Sequence, residues 1–138
     1  MTVAGGLLRI DTSGNGHIVD LTEGVLSVVR TTGMLRGVVT VFAPGSTVAI
    51  TTMEYEPGAT HDLGQLLDRM IPAAGDYQHN VRNHDSNAHS HLRAALIGPS
   101  ETIPLLEGQL GLGTWQQVVL IDFDDRPRQR VVTVQVVS

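Results

Sequence analysis

Cysteine and lysine are both missing from this 138-residue chain, and aromatic residues make up only 4% of it. Without cysteine there is no disulfide, thiolate nucleophile or zinc–sulfur site. Without lysine there is no Schiff base and no phosphate-binding P-loop lysine, so arginine supplies every side-chain cation except protonated histidine. No apolar run approaches the ~18 residues of a membrane span. The opening residues show no secretory leader, so a cytoplasmic location is expected.

Acidic residues outnumber basic ones, fourteen against nine, which gives a net charge of −5. That balance argues against a nucleic-acid partner, since such binding depends on neutralising phosphates with a broad basic field. The chain is 41% hydrophobic and 17% charged, as in ordinary globular proteins. With no internal repeat or linker, residues 1–138 are predicted to form one domain.

Strand-like segments dominate the chain. Residues 7–12 and 16–22 flank the turn-forming sequence "SGNG" and are predicted to form an opening hairpin. Five further runs rich in Val, Thr and Ile predict strands, within 36–45, 46–58, 101–106, 115–124 and 130–137. Such a series of strands with helices inserted between them predicts a single α+β domain with an antiparallel sheet or sandwich core.

Two to three helices are predicted. The first covers residues 20–33, with Asp20 and Glu23 spaced as a capping box and Gly33 as its stop. The second covers 61–72, with leucines on one side and Pro72 ending it. A third, short helix is compatible with "NAHSHLRAALIG", which ends at Gly98.

Four of the six histidines fall within "YQHNVRNHDSNAHSHLRAALIGPS", residues 77–100: His79, His84, His89 and His91. Metal binding, proton transfer and a solvated polar loop all remain open for them. His89 and His91 would share one side of a strand but diverge by about 200° on a helix. The pair therefore favours a metal clamp only if the segment is not helical. His79 or Asp85 could add a third ligand or a carboxylate that orients an imidazole.

Several other polar clusters have two interpretations each. Glu54 and Glu56 would share a face of a strand and could act as a carboxylate pair or bind Mg²⁺, or could simply be solvated. The turns "GST" (45–47) and "GPS" (98–100) could bind an anion or serve only as turns. Trp115 could stack on a planar heterocycle or pack in the core or an interface. The arginines of "DRPRQR" (125–130) could hold a phosphate or a neighbouring subunit.

The order of "GSTVAITTMEYEP", "NAHSHL", "GPS", "LGTWQ" and "RPRQRVV" resembles the YjbQ-like family, over a match that runs from about Gly37 to the C-terminus. The resemblance implies a YjbQ-like α+β fold assembled as a homotrimer, with polar residues near the subunit boundaries. It also implies a thiamine-phosphate synthase activity, with which members of the family have been linked.

Carried over by position, the family's polar signature implies six catalytic residues, Glu54, His79, Asp85, Asn87, His89 and His91. Three of them, His79, His89 and His91, are expected to ligate a divalent metal, Zn or Mg, if one is bound. The expected substrate contacts are Thr47, Arg93, Ser100, Trp115 and Gln116. One departure stands out: many members have a histidine followed by two threonines where this chain has Gly45, Ser46 and Thr47. A site that needs that histidine would be altered or absent here.

Thiamine-phosphate synthesis joins a pyrimidine-methyl pyrophosphate to a thiazole phosphate and expels pyrophosphate. It needs charge neutralisation, a slot for a flat pyrimidine and a water-poor site. Glu54 or Asp85 would hold Mg²⁺ with help from Arg82 or Arg93, His89 or His91 would protonate the leaving group, and Trp115 would lie beside the pyrimidine. The alternatives are a metal-dependent phosphoester hydrolase and a non-catalytic trimer that binds a metal or a small anionic metabolite. The expected partner is a small phosphorylated metabolite.

Overall fold

The computed structural model describes residues 1–138 as eight strands and four helices. The strands form two antiparallel sheets, one of five strands in the order β1-β8-β3-β5-β6 and one of three in the order β2-β7-β4. The elements are β1 (Val3–Thr12), β2 (His17–Asp20), α1 (Thr22–Thr32), β3 (Gly37–Phe42), β4 (Val48–Met53), α2 (Pro57–Met70), α3 (Gln78–Asn83), α4 (Ala88–Ile97), β5 (Ser100–Leu106), β6 (Gln109–Leu110), β7 (Gln117–Asp122) and β8 (Arg128–Val137).

The main core lies between the two sheets and α1, in a cluster of 15 buried apolar side chains. A smaller cluster of six covers the other side of the three-stranded sheet, where α2 and α4 pack. The central strand β7 is buried from Val118 to Ile121 because its alternating side chains enter both clusters. The order of layers is therefore five-stranded sheet, core, three-stranded sheet and helices, which confirms the predicted α+β sandwich in one domain.

One face of the five-stranded sheet has no layer over it. On this face Thr133 pairs with Leu7 on one side and Phe42 on the other. In a parallel row, Val137 pairs with both Val3 and Val38. The apolar neighbours in both rows, Val3, Leu7, Val38 and Phe42, are exposed. These two rows are called the open face below.

The predicted opening hairpin is wrong. β1 pairs with β8 in the larger sheet, whereas β2 pairs with β7 in the smaller one. The "SGNG" segment instead carries the chain from one sheet to the other, with positive φ at Gly14, Asn15 and Gly16. Asn15 and Gly16 donate backbone N–H bonds across to the carbonyls of Asp124 and Asp122. Turn-forming residues had indicated a reversal but could not specify the partner strand.

The helices follow the sequence pattern with corrections at their starts. Gly33 ends α1 with φ of 71°, as predicted. The capping box is wrong, because Asp20 accepts from the N–H and hydroxyl of Thr22 and Glu23 does not return a bond. The second helix begins earlier than predicted, at Pro57, and α3 was not predicted. The third predicted helix is present as α4.

Candidate functional site

A polar cleft opens where the turn before β4, the β7–β8 connection and the start of α4 meet. Its volume is about 410 Å³, and no hydrophobic side chain lines it. Its walls are Gly45, Ser46, Thr47, Asp85, Asn87, His91, Asp124, Asp125, Arg126, Arg128 and Arg130. A wall of this kind suits a small charged ligand, whereas ligand pockets are more often lined by apolar side chains.

A buried ion pair forms the floor of the cleft. Arg130 donates from Nε to Oδ2 of Asp122 and from Nη2 to Oδ1, both at 2.7 Å. Nη2 also donates to the Thr47 hydroxyl at 2.8 Å. Burial opposes ionisation of Asp122, but bonds from Arg130, Thr12 and the Asp124 N–H outweigh it and hold the pKa of this carboxyl below its ordinary value. The pair is thus charged and fixed in direction.

Above the floor, one arginine of the cleft is paired with a carboxylate and another is not. Arg128 forms an ion pair with Asp124, whose pKa is lowered by bonds from the Asp125 N–H and Arg128 despite the opposing effect of burial. Arg126 is exposed and forms no ion pair or hydrogen bond within the chain. Its guanidinium is therefore the cation of the cleft that is free to meet an anion.

The two carboxylates at the rim have no arginine partner. Asp85 accepts from the Ser86 N–H at 2.8 Å, and Asp125 accepts from the Ser86 hydroxyl at 3.0 Å. Ser86 thereby links the segment before α4 to the β7–β8 connection, and both carboxylates remain exposed at the cleft.

His91 faces the cleft from α4. Its Nδ1 lies 3.1 Å from the Ser46 carbonyl oxygen. A carbonyl only accepts, so Nδ1 carries a proton in this contact and Nε2 remains available to accept or, once protonated, to donate. The ring of His79, from α3, has its centroid 4.8 Å from that of His91. His79 therefore contacts His91, which shares the lining of the cleft with Asp85 and Asn87.

His89 lies on another side of α4 and is buried, with 8% of its surface exposed. Its Nδ1 has no hydrogen-bond partner. Burial, followed by the nearby Arg93 charge, lowers the pKa of His89 below its ordinary value. The neutral imidazole is thus favoured in the folded chain, inside the layer that α4 forms on the sheet.

The metal-ligand set expected from His79, His89 and His91 is not formed within the chain. No three His, Asp or Glu side chains lie close enough together to hold a metal ion. The reason is that the "HSH" segment is helical, so His89 and His91 diverge by about 200°. The residues present therefore do not fit the predicted metal centre, and no catalytic step is assigned to it.

Glu54, Trp115 and Gln116 lie away from the cleft, at the opposite end of β4. Thr47 precedes this six-residue strand and Glu54 follows it, a separation of about 20 Å for an extended chain. Gln116 donates to the Thr52 hydroxyl near that far end at 2.9 Å. Trp115 is 74% exposed. The interpretation that its side chain packs in the core of the chain is therefore wrong. The predicted site residues thus fall into two groups.

Three further expectations change with the structure. Glu56 caps α2 by accepting from the N–H groups of Gly58 and Ala59, so it forms no carboxylate pair with Glu54. Arg93 is buried and donates to the Ile71 carbonyl and to Asp68, which does not fit a substrate contact. Ser100 begins β5 opposite Phe42 and does not line the cleft.

Sequence reasoning missed the acidic half of the cleft. Asp122 and Asp124 alternate at the end of an apolar strand in "LIDFDD". An alternating pair that ends a buried strand next to an arginine-rich turn is the signal that could have identified them. The three arginines of "DRPRQR", predicted as possible phosphate ligands, all line the cleft.

The fold and this arrangement define an α+β sandwich protein with a polar cleft. A solved hypothetical protein from Aeropyrum pernix K1 matches it with a TM-score of 0.90 at 30% identity, covering 100% of this chain and 99% of that one. An uncharacterized conserved protein of the YjbQ/UPF0047 family from Clostridium acetobutylicum gives a TM-score of 0.87 at 36% identity, covering 95% of this chain and 98% of that one.

The family model described as UPF0047 protein YjbQ-like matches residues 7–138. A UPF0047 protein of Methanothermobacter thermautotrophicus is 37% identical over 129 residues, which is 94% of this chain and 88% of that protein. The chain therefore belongs to the YjbQ-like UPF0047 family, as its motifs predicted. No helix of the chain is long and apolar enough to cross a membrane.

Proposed function

We propose that this protein is an enzyme of small phosphorylated metabolites, and that thiamine-phosphate synthesis is the reaction to test first. The observation that carries the proposal is the placement of the unpaired Arg126 and of His91 on one wholly polar cleft. An unpaired guanidinium suits a phosphate oxygen, and an imidazole beside it suits proton transfer to a leaving oxygen.

His91 is the general acid in this proposal. Its Nδ1 proton is engaged with the Ser46 carbonyl at 3.1 Å, which orients the ring. Protonated Nε2 would then donate to the oxygen on which negative charge develops as pyrophosphate leaves, while Arg126 neutralises that charge. General acid catalysis of this kind contributes roughly 10²- to 10⁴-fold to a rate.

The pyrimidine slot requires a surface that the cleft does not contain. Its lining includes no Phe, Tyr or Trp, whereas Trp115 is exposed near the far end of β4. We propose that a homotrimer supplies the missing surface, because another copy could present Trp115 and Glu54 where one chain cannot. The exposed apolar rows of the open face supply area for such contacts.

A metal-dependent phosphoester hydrolase is the second candidate, and the polarity of the cleft favours it. Hydrolysis needs no slot for a flat ring. Asp85 and Asp125, which have no arginine partner, are hard oxygen ligands suited to a Mg²⁺ ion that arrives bound to the substrate phosphate.

The test is an assay with the pyrimidine-methyl pyrophosphate and thiazole phosphate, with Mg²⁺, in which thiamine phosphate and pyrophosphate are separated and quantified. Wild type is compared with His91→Ala and with the control His61→Ala, which removes an exposed histidine of α2. Thiamine phosphate from wild type and control, but not from His91→Ala, supports the proposal. Release of phosphate at the same rate with and without thiazole phosphate indicates the hydrolase. Saturable binding without turnover indicates a non-catalytic binder.

A further inference from the structure

Arg130 retains donors that its ion pair does not use. Its hydrogen bonds to Asp122 and Thr47 leave from Nε and Nη2, and Nη1 donates to no protein acceptor. The residue is only 5% exposed, yet it lines the cleft. Nη1 therefore presents unused N–H groups to the open cleft, where an anion can accept from them.

Gly45 is the residue that leaves Nη1 open to the cleft. A Cβ at this position would lie 3.1 Å from Nη1 and 3.0 Å from Cγ1 of Val48. The φ of Gly45 is 148°, a conformation that strongly favours glycine. A side chain here would therefore occupy the space in front of the guanidinium.

The turn that contains Gly45 presents further donors. The backbone N–H groups of Gly45, Ser46 and Thr47 donate to no acceptor in the protein. Successive free N–H groups in a turn form a concave site for an anion. They adjoin Arg130, whose Nη2 bonds to the Thr47 hydroxyl at 2.8 Å.

We propose that Nη1 of Arg130 and the N–H groups of residues 45–47 form a phosphate subsite in the floor of the cleft, open because residue 45 is glycine. The inference rests on the proposed function and deepens it, since it assigns a second phosphate contact separate from Arg126 at the rim. Two such contacts suit a diphosphate, with one phosphate group at the floor and the other near Arg126.

Calorimetric titration with inorganic phosphate and with pyrophosphate tests the subsite, using wild type, Gly45→Ala and Arg126→Ala. Gly33→Ala is the matched control, because Gly33 also has positive φ but has open space where a Cβ would lie. We expect Gly45→Ala to weaken pyrophosphate binding at least tenfold and Gly33→Ala to leave it unchanged. A parallel amide NMR titration of the wild type should show saturable shifts at Ser46 and Thr47.

The outcomes separate the two proposals. Pyrophosphate binding that Arg126→Ala weakens and Gly45→Ala does not, with no shift at Ser46 or Thr47, overturns the subsite and leaves the proposed function standing. Failure of wild type to bind phosphate or pyrophosphate overturns both. The amide titration decides the question even if Gly45→Ala disturbs the turn, because it uses the wild-type chain.

Discussion

The imidazole rings of His79 and His91 lie 4.8 Å apart and are tilted by 49° to each other. They come from different helices, so the contact depends on how α3 docks on α4. That docking is fixed in part by Asn80, whose side chain accepts from the Ala88 N–H at 3.0 Å. The contact therefore places the His79 ring beside a side chain that lines the cleft.

Removal of the His91 imidazole should abolish most turnover and leave the fold intact. We expect His91→Ala to lower kcat by roughly 10²-fold or more, the loss typical of a missing general acid. The half-buried ring contributes one bond, to Ser46, so the unfolding midpoint should change little. Steady-state kinetics beside thermal unfolding measures both. An unchanged kcat would remove His91 from the mechanism.

Breaking the pair in the cleft floor should be severely destabilising. Asp122→Ala leaves Arg130 buried without its carboxylate, and loss of one partner of such a pair typically costs about 3–5 kcal/mol. Glu107→Ala is the control, because its partner Arg36 is exposed and such surface pairs contribute about 1 kcal/mol or less. Urea unfolding at pH 7 gives both free energies. Equal losses in the two variants would contradict a structural role for the buried pair.

The free energy of unfolding should depend on pH through His89. Its pKa is lowered in the folded chain, so below the ordinary value of 6.5 the unfolded chain takes up the proton more readily. Stability is therefore full above pH 6.5 and falls as the pH drops towards the folded pKa, by at most about 1.4 kcal/mol per pH unit for one proton.

Urea unfolding across pH 7.5 to about 5 measures this dependence. His89→Gln should flatten the slope in that window, whereas His61→Gln, a change at an exposed histidine, should leave it as in wild type. A slope that persists in His89→Gln would assign the pH dependence to another group.

Self-association should depend on the open face. We expect light scattering to give three times the mass of one chain and Val38→Glu to lower that mass, because a charge would then have to be buried among apolar side chains. Leu66→Glu, at an exposed position on α2, should leave the mass unchanged. A monomeric wild type would contradict the trimer and leave Trp115 without a route to the cleft.

Local patterns were enough to predict most of the fold. The Val- and Ile-rich runs that became β3, β4, β7 and β8 alternate or are buried on both faces, so their type could be predicted from the sequence. The pairing of β1 could not, because its partner β8 lies at the other end of the chain. Which strands pair over such a separation in sequence depends on how the buried faces of all the elements pack against one another. No local turn sequence specifies it.

The candidate site was less predictable because its members meet through tertiary packing. The histidine segment was found by composition, but whether its side chains converge depended on helix or strand geometry, and α4 turned His89 inwards. Arg93 had a suitable charge for a substrate contact, yet it is used to tie α4 to Ile71 at the end of α2. Residue type indicates what a group can do, while burial decides whether a ligand can reach it.

The conformation of Gly45 also limits how this protein can evolve. A Cβ at position 45 would lie 3.1 Å from Arg130 Nη1 and 3.0 Å from Val48 Cγ1, and the φ of 148° would strain its backbone. A histidine there, as the family resemblance would lead one to expect, requires the turn to change its path and Arg130 to withdraw its tip. A side chain at position 45 and the present place of the Arg130 Nη1 group therefore compete for the same space.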